Sequence, residues 1–177
     1  MTDEVLADLS KRLKVLEYER GARRLLERYG HSLDYGDEHG FLDCFMPHGT
    51  YAVRTSDVPT EAAALFPQAI INESGIIFRG REALRPFAAV HSRAPDFWHK
   101  HLVADSVLNI DCEVGEGRIV SYFLRLDATE RGREITAFGR YVDRVMLCDD
   151  GKWRFTDRVV ELESNALEPG QNAPDEV

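Results

Sequence analysis

Apolar residues recur every three or four positions along the first 35 residues. Leu6, Leu9, Leu13 and Leu16, then Leu25, Leu26, Tyr29 and Leu33, keep close to a 3.6-residue period and predict one long amphipathic helix over residues 3–35. Gly21 interrupts the pattern and marks either a kink or a close contact. Gly36 is a helix stop, and Asp37 can cap a short second helix running to about Phe45, before Pro47 and Gly49 break it. The period then changes to two. Thr50–Thr55 reads as a strand, 56–69 as a loop around an alanine-rich helical turn, and Ile70–Arg79 as further strand. Gly80 precedes a helix over 81–92 that carries Pro86 in its interior. Four longer strands follow over residues 99–111, 118–129, 134–148 and 152–162. Gly115-Glu116-Gly117, Arg131-Gly132 and Asp149-Asp150-Gly151 supply the hairpin turns between them. Helices first and an antiparallel meander second predict an α+β fold. Residues 1–163 read as a single domain. Residues 164–177, with Pro169, Gly170 and Pro174 among polar positions, read as a flexible tail.

Composition narrows the function. The 177 residues are 44% hydrophobic and 30% charged, ordinary for one folded domain with a real core. The net charge of −9 and the scarcity of clustered basic residues argue against a nucleic-acid partner. No apolar run suggests a secretion signal or a membrane span. Cys44, Cys112 and Cys148 are odd in number, far apart and without metal-ligand spacing, which predicts reduced thiols in a cytoplasmic protein.

The candidate chemistry lies in Trp98-His99-Lys100-His101-Leu102-Val103. His99 and His101 share strand parity and project from one face. Asp34 falls in the last turn of the first helix, where a carboxylate faces the negative end of the macrodipole at a cost of a few tenths to about 1 kcal/mol. A histidine would offset that cost. His101, Asp34 and Tyr29 are therefore the candidate catalytic set, with His99, His48, Tyr51, Phe123 and Tyr141 as candidate substrate contacts. Each has a plainer role: His101 and His99 as strand residues, Asp34 as a turn residue, and Tyr29, Phe123 and Tyr141 as core packing. His31 and His39 read as surface residues. No third ligand at a known spacing accompanies His99 and His101, so neither a metal nor another cofactor is expected.

The ordered set of motifs carries a resemblance. It consists of Leu33-Asp34-Tyr35-Gly36-Asp37, Gly80-Arg81-Glu82-Ala83-Leu84, His101-Leu102-Val103, Gly139-Arg140-Tyr141-Val142-Asp143-Arg144 and Asp150-Gly151-Lys152-Trp153-Arg154-Phe155. Spread over roughly residues 13–162, these resemble the SnoaL-like branch of the NTF2-like superfamily. The resemblance implies a cone-like curved antiparallel sheet with the N-terminal helices on its concave face. Within that superfamily Asp34 and His101 resemble the Asp–His pair of cofactor-independent lyases such as scytalone dehydratase, bile-acid 7α-dehydratase and lindane dehydrochlorinase, and Tyr29 resembles the tyrosine of the bile-acid enzyme. A lyase acting on a small apolar, aromatic or polycyclic hydroxylated substrate is the implied activity. The alternatives are an isomerase or cyclase using the same base, a non-catalytic ligand-binding module, and the β subunit of a ring-hydroxylating oxygenase. The resemblance also implies a homo-oligomer, a trimer before a dimer. Two segments depart from the family pattern: Met46-Pro47-His48-Gly49, where an acidic turn is usual, and the long stretch 55–73.

Overall fold

The computed structural model describes residues 2–165. Its elements are helices α1 (Thr2–Tyr35), α2 (Glu38–Asp43), α3 (Ala62–Leu65) and α4 (Arg81–Val90), and strands β1 (Phe45–Arg54), β2 (Ile70–Asn72), β3 (Gly75–Arg79), β4 (His99–Asp111), β5 (Glu116–Thr129), β6 (Gly132–Leu147) and β7 (Trp153–Leu162), followed by a 3₁₀ turn, Glu163–Asn165. The strands form one curved, unclosed sheet in the order β2-β3-β1-β7-β6-β5-β4. Every neighbouring pair is antiparallel except β1 and β7. The fold is α+β, as the order of helices and strands predicted. Apart from Ser164 and Asn165, the tail expected over 164–177 lies outside the described residues. Among the described residues no helix is long and apolar enough to cross a membrane.

Cross-strand pairing aligns one row of side chains along the concave face. Val103 sits opposite Phe123, Ser121 opposite Tyr141, Tyr141 opposite Val160, and Arg158 opposite Tyr51. Phe123, Ser121, Tyr141, Val160, Arg158 and Tyr51 are buried. The N-terminal helices and α4 close over them with Leu25, Leu26, Tyr29, Leu33, Phe41, Leu42, Leu84 and Ala88.

Three expectations about elements are corrected. First, α2 stops at Asp43 and the chain is extended from Phe45. Pro47 and His48 fall where the β1–β7 register shifts between Phe45 and Thr50, an irregularity that tolerates a residue without an N–H. Second, residues 70–79 form a hairpin, β2 and β3, in which Gly75 takes φ +140° beside the Val53 carbonyl. Third, the apolar positions of α1 are two stripes. Leu6, Leu9, Leu13 and Leu16 are each more than half exposed, whereas Ala22, Leu25, Leu26, Tyr29 and Leu33 are buried. At about 100° per residue the two sets point to roughly opposite sides of the helix, so a continuous period conceals a reversal of face. The glycine between them is a close contact: a Cβ on Gly21 would stand 2.6 Å from the Trp153 ring.

Candidate functional site

The end of α1 fixes one half of the site. Gly36 takes the left-handed conformation (φ +72°), and the amides of Gly36 and Asp37 donate to the carbonyls of Leu33 and Ser32. This is a Schellman closure, and it places Asp34 in the last helical turn. Asp37 then caps α2, its carboxylate accepting from the Gly40 amide at 2.8 Å. The start of β4, an edge strand of the sheet, packs against α1 and supplies the other half.

His101 and Asp34 meet there twice. One carboxylate oxygen accepts from His101 Nδ1 at 2.6 Å, and the other accepts from the His101 backbone amide at 3.1 Å. Both side chains are buried, at 9% and 5% exposure. Burial alone would raise the Asp34 pKa. The hydrogen bonds and charge of His101, with a smaller contribution from His99, hold it below the ordinary carboxylate value instead. An ionised carboxylate can only accept, so Nδ1 carries the proton and Nε2 keeps its lone pair. That is the tautomer a general base requires.

Two more imidazoles stand beside this pair. His99 Nε2 lies 3.3 Å from Asp34, and neither ring nitrogen of His99 has a hydrogen-bond partner among the described residues. Its cross-strand neighbour Asp127 is already engaged, accepting from Arg125 at 2.9 Å and from the Thr136 hydroxyl at 2.6 Å. His91, at the C-terminal end of α4, completes a triangle of rings. The centroid separations are 5.2 Å for His91–His99, 5.6 Å for His91–His101 and 5.2 Å for His99–His101. Burial, followed by the charges of His101 and Arg125, lowers the His99 pKa, and the same causes push His91 down to about 3. Both rings are therefore neutral at neutral pH. One nitrogen from each of the three histidines lies within 4.8 Å of the others.

Asp34 and His101 line a cleft of about 460 Å³ between α1 and β4. Its walls mix Leu26, Leu102 and Val103 with Arg23, Glu27, His31 and Lys100. This cleft is open and has a charged rim. Aromatic rings fill the space deeper in the cone.

Tyr29 belongs to that aromatic filling. Its hydroxyl is 3.2 Å from the Tyr51 hydroxyl, and its ring packs on Phe41, Phe45, Tyr141 and Phe155. The guanidinium of Arg158 stacks 3.9 Å from Tyr29 and 3.8 Å from Tyr141. Arg158 and Asp143 form an ion pair with no exposed side-chain surface, 3.5 Å apart. Burial raises the Tyr29, Tyr51 and Tyr141 pKa values, which keeps all three phenols protonated. Phe123 stacks on Tyr141 at 4.5 Å. Tyr29, Tyr51, Phe123 and Tyr141 thus form one cluster, and none of them lines the cleft beside Asp34 and His101. His48 is exposed on β1 and joins neither group. The structure unites His101, Asp34 and His99, and it adds His91, a residue the sequence reading did not single out. The only signal for it was its place just after a helix and eight residues before His99.

The chain matches the family model of the SnoaL-like domain over residues 14–159. No curated protein sequence matches it. Among solved structures it is similar to an NTF2-like protein with a cystatin-like fold from Novosphingobium aromaticivorans, at 17% identity and TM-score 0.69 over 92% of each chain. It is also similar to Rv3472, a protein of unknown function from Mycobacterium tuberculosis, at 24% identity and TM-score 0.62 over 85% of this chain and 77% of that one. A third likeness is to the β subunit of a putative aromatic-ring-hydroxylating dioxygenase from Novosphingobium aromaticivorans. There the identity is 16% and the TM-score 0.62, over 84% of this chain and 90% of that one.

Proposed function

Because the chain belongs to the SnoaL-like domain family of NTF2-like proteins, we propose that it is a lyase of the elimination type, with His101 as its general base. The observation that carries this reading is the doubly bonded Asp34–His101 pair on the wall of a cleft. His101 Nε2 takes a proton from a carbon next to a carbonyl. Asp34 holds the tautomer and stabilises the imidazolium that forms. The electron pair left on carbon breaks the β C–O bond and forms a double bond conjugated with the carbonyl, while the His101 imidazolium gives its Nε2 proton to the departing oxygen, which leaves as water. His31, on the cleft wall one helical turn before Asp34, is the donor assigned to the developing negative charge on the carbonyl oxygen. Leu26 and Val103 suit a flat apolar body, so the substrate class is a hydroxylated cyclic ketone, aromatic or polycyclic. Incubation with a panel of cyclic β-hydroxy ketones tests the reading, with the enone chromophore as the readout. An isomerase or cyclase would use the same base and return the proton to another carbon without losing water.

The assembly belongs to the same proposal. Leu102, Leu124 and Phe138 are cross-strand neighbours on the outer face of the sheet and are 36–47% exposed. Tyr122 and Ile135 are exposed as well, and so is the leucine stripe of α1, which is more exposed apolar surface than a monomer ordinarily carries. We assign this surface to association of copies of the chain, as a trimer or otherwise a dimer. The likeness to a dioxygenase β subunit supports a second occupant, a large oxygenase subunit. Co-purification with an iron–sulfur protein would favour that reading.

A further inference from the structure

Three imidazoles at the mouth of the cone exceed what one general base needs. We propose that His91, His99 and His101 form a three-histidine site for a first-row divalent cation of the Zn²⁺ type.

The geometry fits such an ion. A tetrahedral centre with metal–nitrogen bonds of ~2.0–2.1 Å sets its imidazole centroids roughly 5.2 Å apart. The three centroid separations here are 5.2, 5.2 and 5.6 Å. The nitrogens lie within 4.8 Å of one another, against roughly 3.4 Å in a loaded tetrahedral site, so ring rotations and small shifts close the difference. The rings come from two elements, the end of α4 and the start of β4, and form a triangle.

Hydrogen bonding points the same way. His99 is 2% exposed, yet neither of its ring nitrogens makes a hydrogen bond among the described residues, Nε2 lying 3.3 Å from Asp34 without one, and His91 Nε2 is likewise buried without a hydrogen bond. Buried polar atoms left this way destabilise the fold unless something fills them. A metal ion would use these lone pairs directly. Asp34 already holds Nδ1 of His101, which leaves Nε2 for the ion. This is the carboxylate–histidine–metal arrangement that orients ligands in many zinc sites. The same carboxylate supplies negative charge next to a divalent cation. Arg125, whose charge reaches His91 and His99, is paired with Asp127 at 2.9 Å. The fourth coordination position would be taken by water.

The proposal does not depend on the lyase reading. It does make the two roles of His101 exclusive, because a metal and an abstracted proton would use the same lone pair on Nε2. Metal loading would therefore switch off a His101 base.

The test uses the full chain after chelator treatment and reads binding without reference to turnover. Titration with Co²⁺ alone should give the visible ligand-field absorption of a four-coordinate ion, saturating at one equivalent per chain. Zn²⁺ should displace it. His91→Ala and His99→Ala should each weaken binding at least ~100-fold, and Asp34→Asn should weaken it ~10–100-fold through the lost carboxylate. His48→Ala, at an exposed histidine, should leave binding unchanged. X-ray absorption of the Co²⁺-loaded wild-type chain keeps the question decidable if a variant does not fold, and three imidazole ligands are expected. No saturable uptake, unchanged affinity in a folded His91→Ala, or a spectrum with fewer than two imidazoles would overturn the proposal.

Discussion

Asp34 grips His101 by both its ring and its backbone, at 2.6 Å and 3.1 Å. The backbone bond fixes where β4 starts relative to the end of α1, and the ring bond fixes which nitrogen bears the proton. The two consequences separate in Asp34→Asn. That variant should keep the fold, because an amide oxygen can still accept from the backbone amide, but it loses the preference for Nδ1–H. The expected outcome is a rise in the Nε2–H tautomer, read by ¹⁵N chemical shifts of the His101 ring. A fall in turnover of roughly 10³–10⁴ should accompany it.

Tyr29 shows where family position and physical position part. Its hydroxyl pairs with Tyr51 inside a cluster of aromatic rings capped by Arg158. Tyr29→Phe should cost stability by about 1 kcal/mol, the worth of one buried hydrogen bond. Turnover should change far less than in His101→Ala. Chemical denaturation and steady-state kinetics on the same preparation separate the two effects.

A carboxylate hub ties the start of β7 to the end of α2. Asp43 accepts from Arg154 at 2.8 Å and from Lys152 at 2.9 Å. Burial would raise the Asp43 pKa, but these bonds lower it overall. The folded state therefore binds the Asp43 proton less tightly than the unfolded state does. Its contribution is fully present above the unfolded carboxylate pKa, near ~3.9, and is lost as pH falls through the lower folded value. Arg154→Met should lower stability at neutral pH by roughly 2–3 kcal/mol and flatten the acid limb of the stability curve. Denaturant titrations from neutral pH down to the carboxylate range check both.

Leu124 lies between Leu102 and Phe138 on the outer face of the sheet. Leu124→Lys places a charge at the centre of the proposed contact between copies and should leave the concave core intact. Sedimentation should show the wild-type chain as an oligomer and the variant as a monomer with an unchanged circular-dichroism spectrum. A wild-type chain that stays monomeric at all concentrations would remove the assembly claim.

The legible parts of the chain were those set by local physics. The end of α1 could be read from Gly36, the cap from Asp37, the hairpins from their glycines, and the shared face of His99 and His101 from strand parity. What could not be read depended on distance or phase. The leucines of α1 keep a helical spacing within 6–16 and again within 25–33, but the step from Leu16 to Leu25 is a half-integral number of turns, so the apolar stripe changes face there, and an overall 3.6-residue spacing hides the change of phase. The register shift in β1 sends His48 outward, and only the pairing with β7 reveals it. His91 reaches the site because the 91–98 segment folds back from α4 to β4. Its amides bind distant partners, as when Ala94 donates to the Asp34 carbonyl at 3.2 Å.

His101 as the base is the centre of the account, and turnover by His101→Ala tests it most directly. The wild-type and variant chains, both stripped with chelator, are compared on the cyclic β-hydroxy ketone that the wild type dehydrates fastest. Folding is checked by circular dichroism and by the thermal midpoint. The account predicts enone formation by the wild type and none above background by a folded His101→Ala. Wild-type turnover in that variant would contradict it.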